Sequence, residues 1–353
     1  MQLNILRLHC TKDDKNLRQC LRAYGVLPKY CKASYYKTEQ ATEITRILKG
    51  INERLRKQIG IGWKNKWKDA IGYRVSKSAL KDWVSGRASI PLIAISALNQ
   101  LGCEKEVQQI IEKIRYVSST TREIVRIPNS LTPDILYLSG LILGDGSLPI
   151  QKGNHEDNRE YCLSITSKDR IFLENEIKPL IEKTFEIQCS NARYYNHGGP
   201  TWTLAKANKT IYRFFTEVVG IPNGNKSKKG KIPQIIKELN PRETIPFLAG
   251  LIDSDIGKHG HGMGCTFKSK ELVNDLIEHL EKLDICAKHY GSHFKNNKYI
   301  QHDFTIPKSQ IKRLKGHLYK SYLPKRKDRL ELVDNLAHGY SSGRRGVVQG
   351  HVA

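Results

Sequence analysis

LYLSGLILGDG, from Leu136 to Gly146, returns as PFLAGLIDSDIG, from Pro246 to Gly257. A repeat of this kind turns one fold problem into two copies of a smaller one. Downstream of the first copy comes CLSITSKDRIFLENEIKPLIEK, starting at Cys162. Downstream of the second comes CTFKSKELVNDLIEHLEK, starting at Cys265. In both, a short alternating segment reaches a lysine, Lys168 or Lys268, and runs into an amphipathic helix. Further strand-like stretches follow, ARYYN and TWTLAKA in copy one, KHYGSHF and KYIQHDFTI in copy two. A helical segment closes each copy.

The motif stretches read as helices built to meet. Gly140 and Gly144 lie four apart, on one helix face, and Gly250 and Ser254 hold the equivalent places. Small residues at that spacing let two backbones approach, where larger ones hold helices about 8–10 Å apart. Leu138, Leu141, Ile142, Leu248, Leu251 and Ile252 are then free to fill the flanking cores. Each helix ends in an acid, Asp145 or Asp255. A carboxylate there faces the negative end of the helix dipole, costing roughly 0.3–1 kcal/mol. Two such carboxylates brought together also repel. Divalent cations between them would remove both penalties, and a local rule broken twice in register marks a functional site.

The two motifs, each with its serine–lysine entry to the next helix, resemble those of LAGLIDADG homing endonucleases. The likeness covers about residues 131 to 335. The stretch GNKSKKGKIPQII, Gly224 to Ile236, resembles the inter-repeat segment of intein-type members. The resemblance implies an α+β fold of two pseudo-symmetric αββαββα repeats forming a DNA-binding saddle. It implies site-specific double-strand cleavage of DNA by phosphodiester hydrolysis. Asp145 and Asp255 would bind the metal, with Mg²⁺ as the expected cofactor. Lys168 and Lys268 would tune the water network, with phosphate contact or a solvated helix start as the open alternatives. Asp253 has Leu143 as its counterpart, so it is expected to be structural. The family carries Gly after the metal-binding acid, as Gly146 does here. Copy two has Ile256, with Gly257 one place later, so a shifted backbone is expected in the second half.

The composition agrees with a nucleic-acid partner. The chain has 353 residues, with 59 Lys+Arg against 35 Asp+Glu and a net charge of +24. That surplus points to a polyanion. No apolar run approaches a membrane span, and MQLNILRLHC does not read as a signal peptide, so a cytoplasmic protein is expected. The eight cysteines form no CxxC pair, which argues against zinc. They read as reduced, small apolar residues.

Residues 1–125 read as an all-α domain. Within it, residues 74–102 suggest a short helix, a glycine turn and another helix. Ser76 is the expected N-cap, Gly86 the left-handed stop, and Pro91 the start of the next helix. The segment resembles the repressor-type helix-turn-helix family, with Trp83-Val84-Ser85-Gly86 ending the recognition helix. That likeness places Ser76, Lys77, Ser78 and Lys81 towards DNA. A helical cap on the main domain is the bland alternative. A polar linker is expected over 117–130, repeats over 131–240 and 241–335, and a flexible tail over 336–353.

Candidate groove contacts in copy one are Asn191, Arg193, Tyr195, Thr201, Thr203 and Lys206. In copy two they are His289, His293, Lys295, Lys298, Gln301 and Asp303. Alternation puts one parity on the core and the other on DNA, and the sequence leaves open which is which. Lys226, Lys228, Lys229, Lys231, Lys325 and Arg326 are candidate phosphate contacts. The expected partner is a long, asymmetric double-stranded site, read by a monomer. The competing reading is a non-cutting DNA- or RNA-binding regulator, or an intron-splicing maturase with intron RNA as partner. An intein is disfavoured, since residue 1 is neither Cys nor Ser and no His-Asn pair ends the chain.

Overall fold

The computed structural model describes residues 3–8, 21–24, 42–118, 123–152, 159–196, 199–223, 229–295 and 299–338. The chain divides into two compact units. Unit one comprises Met1–Ile135 and Gly146–Gly224, and unit two Leu136–Asp145 and Asn225–Ala353.

Among its described residues, unit one carries five α-helices ahead of the first repeat: Thr42–Ile59, Trp63–Ile71, Lys77–Ser85, Leu92–Ala97 and Glu104–Lys113. The first buries the stripe Ile44, Leu48, Ile51 and Leu55. Trp63 stacks on Trp67 at 5.5 Å, and Trp67 meets Trp83 edge-on at 5.9 Å. The Trp67 Nε1–H donates to the Ala94 carbonyl at 2.8 Å, so the buried indole is satisfied. The caps fall where expected. Ser76 Oγ accepts from Ala79 N, Gly86 is left-handed at φ 74°, and Pro91 precedes Leu92–Ala97.

This region is not all-α. β1 (Arg22–Tyr24) lies between β2 (Ile90–Pro91) and β3 (Tyr116–Ser118), and β3 pairs with β4 (Ile124–Arg126). β3 and β4 occupy part of the stretch expected as a linker. Three-residue strands such as Ile124-Val125-Arg126 are too short to show a period, so tertiary pairing decides them. Ile5–Leu8 packs on Phe214–Val219, and Leu3 N donates to the Asn129 carbonyl at 2.8 Å.

The first repeat supplies β5 (Gly146–Ser147), β6 (Ile150–Lys152), β7 (Arg159–Ser167), β8 (Arg193–Asn196) and β9 (Pro200–Ala207). Their order is β5-β7-β9-β8, with β6 also paired to β7. Between β7 and β8, Arg170–Phe172 continues through a π-helical stretch, Leu173–Ile177, into Lys178–Phe185. The second repeat supplies β10 (Gly257–His259), β11 (Gly262–Phe267), β12 (Lys288–Lys295) and β13 (Tyr299–Ile306), ordered β10-β11-β13-β12. Lys270–Glu281 lies between β11 and β12, and Lys308–Ser321 follows β13. All these pairings are antiparallel. The fold is α+β, and each repeat runs αββαββα once β5 and β6, which pair in succession along β7, are taken as one interrupted strand.

The motif helices, Pro133–Leu143 and Ile245–Ser254, meet through their glycines. A Cβ added at Gly140 would run into the Phe247 carbonyl, and one at Gly250 into the Tyr137 carbonyl. Each glycine therefore faces the residue three places before the other, which is the reciprocity of a twofold contact. Both helices are apolar nearly all round, as burial on every side requires.

Backbone cannot retreat as a flexible side chain can. Gly140→Ala and Gly250→Ala are each expected to lower the unfolding free energy by at least about 1–3 kcal/mol. Gly50→Ala, whose Cβ meets nothing within 4 Å, should not destabilise. Denaturant unfolding measures all three, and wild-type stability in either motif variant would remove the close contact.

His279 sets an acid limit on the same packing. Thr244 Oγ1 donates to the Pro241 carbonyl at 2.6 Å, so His279 Nε2, 2.5 Å from that oxygen, must be the donor. Burial pushes the imidazole down to about 4. An unfolded histidine near pH 6.5 binds its proton first. The stability tied to neutral His279 is therefore complete above about 6.5 and falls as pH drops towards 4. Replacing it with Gln should flatten that slope in unfolding curves taken between those pH values.

Candidate metal centre

Asp145 and Asp255 end the paired helices in unit two. Gly144 N closes its helix on the Gly140 carbonyl at 3.0 Å, while Asp255 N and Ile256 N both reach the Leu251 carbonyl at 2.9 Å. A Cβ on Gly144 would clash with Ser254 and stand 3.2 Å from Asp255 Oδ2. The Asp255 carboxylate thus lies against the residue before Asp145. Asp145 is exposed and Asp255 half-buried. The Cys265 thiol senses both. Burial first, then the charge of Asp255, pushes it up to about 12, with Asp145 adding to the rise and Arg329 opposing it.

The donors are hard oxygens. Among the described residues no group of three or more His, Cys, Asp or Glu could hold a metal. A pair of aspartates suits an ion that keeps several waters and takes phosphate oxygens, as Mg²⁺ does. The acid remains at the helix end despite Ile256. That residue is 1% exposed, so it buries an extra side chain between Asp255 and β10.

Asp253 is structural. Its Oδ2 accepts from Tyr137 Oη and from Lys325 N, both at 2.6 Å, and its Oδ1 from Arg326 N at 3.2 Å. Burial pushes its pKa up to about 6, against the pull of those donors. The repeat-related pair is Phe247 and Leu143, both apolar. One hydrogen-bonded pair therefore stands where the other copy has two hydrocarbons. Tyr137 was a missed residue. Its signal was a hydroxyl, shared only with Ser139, in a mostly apolar motif helix.

Lys168 and Lys268 are both exposed, each just past its strand and just before a helix N-cap. Asp169 accepts from Phe172 N at 3.0 Å, and Ser269 from Leu272 N at 3.2 Å. The sheet registers settle the parity. In unit one, Leu163, Ile165 and Ser167 oppose Lys206, Leu204 and Trp202 on the core face. Arg193 opposes Thr203, and Tyr195 opposes Thr201, on the other face. In unit two, Met263, Cys265 and Phe267 oppose Ile306, Phe304 and His302 on the core face. Gln301 and Asp303 belong to the opposite parity, and Thr266 Oγ1 donates to Asp303 at 2.7 Å. His289 sits by His302, on the core side.

Several expected DNA contacts are committed elsewhere. Lys206 shares the parity of Leu204, pairs with Glu123 at 2.6 Å and donates to the Gln188 carbonyl at 2.7 Å. Arg326 forks onto Asp328 at 3.1 and 2.9 Å and donates to the Asp253 carbonyl. Lys325 Nζ lies 5.6 Å from the Tyr137 ring and 5.5 Å from the Tyr322 ring. Lys231 forms a surface pair with Glu271 at 3.7 Å, and Lys229 is exposed. Ser76 is occupied as a cap, whereas Lys77 and Lys81 point outward from their helix. Lys226, Lys228 and Lys298 lie outside the described residues. No described helix is long and apolar enough to cross a membrane.

No family model matches the chain. Among solved structures it is similar to the homing endonuclease I-DmoI in complex with DNA and Ca. The identity is 20% over 57% of this chain and 96% of that one, with a TM-score of 0.45. It is similar to the homing endonuclease I-WcaI bound to its DNA recognition sequence, at 21% identity, 56% and 85% coverage and a TM-score of 0.36. It is also similar to the LAGLIDADG meganuclease I-AabMI bound to uncleaved DNA, at 12% identity, 59% and 91% coverage and a TM-score of 0.35.

Asp253→Asn puts an NH₂ group among donors. The expected loss is about 1–3 kcal/mol of stability, the cost of a mispaired buried polar group. Tyr137→Phe should cost about 1 kcal/mol. Unfolding of the double variant should show coupling between the two, and strictly additive losses would dissolve the pair.

Proposed function

We propose that the chain is a site-specific double-strand DNA endonuclease of the LAGLIDADG homing type. The observation that carries this reading is the pair of acids, Asp145 and Asp255, held together by helices whose glycines leave no room for a side chain. Stability alone does not favour two carboxylates at two adjoining helix C-termini. A divalent ion bound there would lower the pKa of a water and neutralise charge on a phosphate.

The protein's own part is to hold those carboxylates close together at the ends of the paired helices. Lys168 and Lys268, exposed at strand ends, are suited to ordering water or meeting a phosphate. Arg193, Tyr195, Thr201 and Thr203 on one sheet, and Gln301 on the other, are suited to base edges or backbone. The short helix Lys77–Ser85, after the left-handed turn at Gly72, has the build of a recognition helix. Lys77 and Lys81 would meet DNA there.

Purified protein with Mg²⁺ should cut duplex DNA spanning the insertion point of its own gene. Asp145→Asn or Asp255→Asn should reduce cutting about a thousandfold, the several kcal/mol that a catalytic ion supplies. Binding should persist. Undiminished cutting by either variant would sink the assignment of the acids. Tight binding without cutting by the wild type would favour the regulator or maturase reading. For the N-terminal helix, Lys77→Ala with Lys81→Ala should reduce the salt slope of DNA binding by about two. An unchanged slope would leave that helix as a cap.

A further inference from the structure

The described part of 117–130, expected as a polar linker, instead ties the helical region to the first repeat. Tyr116 Oη donates to Glu186 Oε2 at 2.8 Å, and Arg126 Nη1 pairs with Glu186 Oε1 at 3.3 Å. Glu186 is the left-handed cap, φ 50°, of the helix Lys178–Phe185. That backbone favours glycine, so the turn does not explain the carboxylate. The repeat-related Asp284 is left-handed too, at φ 58°, and copy one adds the two donors on β3 and β4. Glu123, one residue before β4, accepts from Lys206 Nζ at 2.6 Å and from Asn208 Nδ2 at 2.7 Å. Asn208 is buried, and its Oδ1 caps the helix Lys209–Arg213. The two carboxylates thus meet the end of one repeat helix and the start of another. From β3 the sheet runs through β1 to β2, and Leu92 N donates to the Leu21 carbonyl at 2.9 Å. Trp67 then joins Ala94 to Trp83 of the helix Lys77–Ser85. Ile5–Leu8 forms a second bridge, packing on both Leu92–Ala97 and Phe214–Val219, with Ile5 and Leu8 buried.

We propose that the β3–β4 pair is a rigid coupler, with Glu123 and Glu186 as its positioning residues. It makes the helix Lys77–Ser85 and the first-repeat sheet read one DNA duplex at a fixed spacing. The Arg126–Glu186 pair is exposed, and pairs of that kind add little stability. Its value lies in orientation. Two separate anchors, polar at the β3–β4 pair and apolar at Ile5–Leu8, fix an orientation where one would leave a pivot. Lys77 and Lys81 are exposed on the helix, and Arg193 and Tyr195 on the sheet. A flexible linker would let these two surfaces engage DNA at many spacings, whereas a fixed coupler admits one. The inference rests on reading the chain as a DNA-binding protein, but it does not need the protein to cut.

Two measurements on the full-length protein test it. The first needs no DNA. Amide ¹⁵N relaxation should give one rotational correlation time for residues 42–113 and 159–196, and faster tumbling of 42–113 overturns the coupler. The second uses the duplex spanning the insertion point of the gene. Hydroxyl-radical footprinting locates the stretch whose protection is lost in Lys77→Ala with Lys81→Ala, and the lack of such a stretch overturns the shared reading. Inserting about five base pairs, half a helical turn, between that stretch and the rest should weaken wild-type binding about tenfold or more. In Glu123→Gln with Glu186→Gly, the same insertion should cost about threefold or less. Glu186→Gly alone should keep the wild-type Tm, because glycine suits φ 50°. Wild-type tolerance of the insertion, or a double variant with the full penalty, overturns the proposal and leaves the two carboxylates structural. If the double variant does not fold, Tyr116→Phe with Arg126→Gln removes the donors instead and decides the matter. A wild type that binds no duplex DNA rejects the DNA-binding reading and the coupler together, whereas binding that ignores the insertion rejects the coupler alone.

Discussion

The contact of Gly140 and Gly250 with each other's helix backbone is the constraint on which the rest depends. Each glycine lies against a main-chain carbonyl of its partner helix, Phe247 or Tyr137. Nothing larger than hydrogen fits there. The approach fixes the register of the two helices. Because Asp145 and Asp255 stand five residues after Gly140 and Gly250, it also fixes where the carboxylates end up. A looser crossing, at the distance that ordinary side chains impose, would separate the two acids.

That closeness has an electrostatic cost, and the two copies meet it differently. The first helix offers Tyr137, whose hydroxyl crosses to Asp253 of the second. The second has no hydroxyl to return, since Phe247 and Leu143 occupy the related positions. Asp253 then recruits the backbone of Lys325 and Arg326, and the C-terminal helix follows. The twofold symmetry of the glycine contact is thus broken on one side only. The asymmetric acid, expected to be structural, organises its surroundings. A pseudo-symmetric scaffold of this kind can carry two half-sites that are not equivalent.

Much of this was legible from local pattern. The repeat, the paired small residues, the two acids and the Ser76 and Gly86 caps all depend on neighbours within one or two helical turns. What failed to show was set by tertiary contact. β3 and β4 are three residues each, too short for periodicity, and they exist because β1 pairs beside them. Lys206 looked like a DNA contact because its charge was visible and its parity was not. The register with Leu163 turns it to the core face and onto Glu123. Arg326 carried a visible charge too, but its pairing with Asp328 depends on the helix start that Asp253 holds. The packing of Arg329 over Gly257 gave no signal, because the two lie most of a repeat apart in sequence. The one trace was the misplaced glycine itself.

The central claim is that the glycine contact brings Asp145 and Asp255 to a shared cation. Anomalous diffraction from crystals soaked in Mn²⁺ tests it most directly. The account predicts a difference peak within about 2–2.5 Å of a carboxylate oxygen of each aspartate, the reach of a hard divalent ion. That peak should be lost in the Asp145→Asn, Asp255→Asn double variant. Mn²⁺ bound elsewhere, with both carboxylates bare at saturating metal, would contradict it.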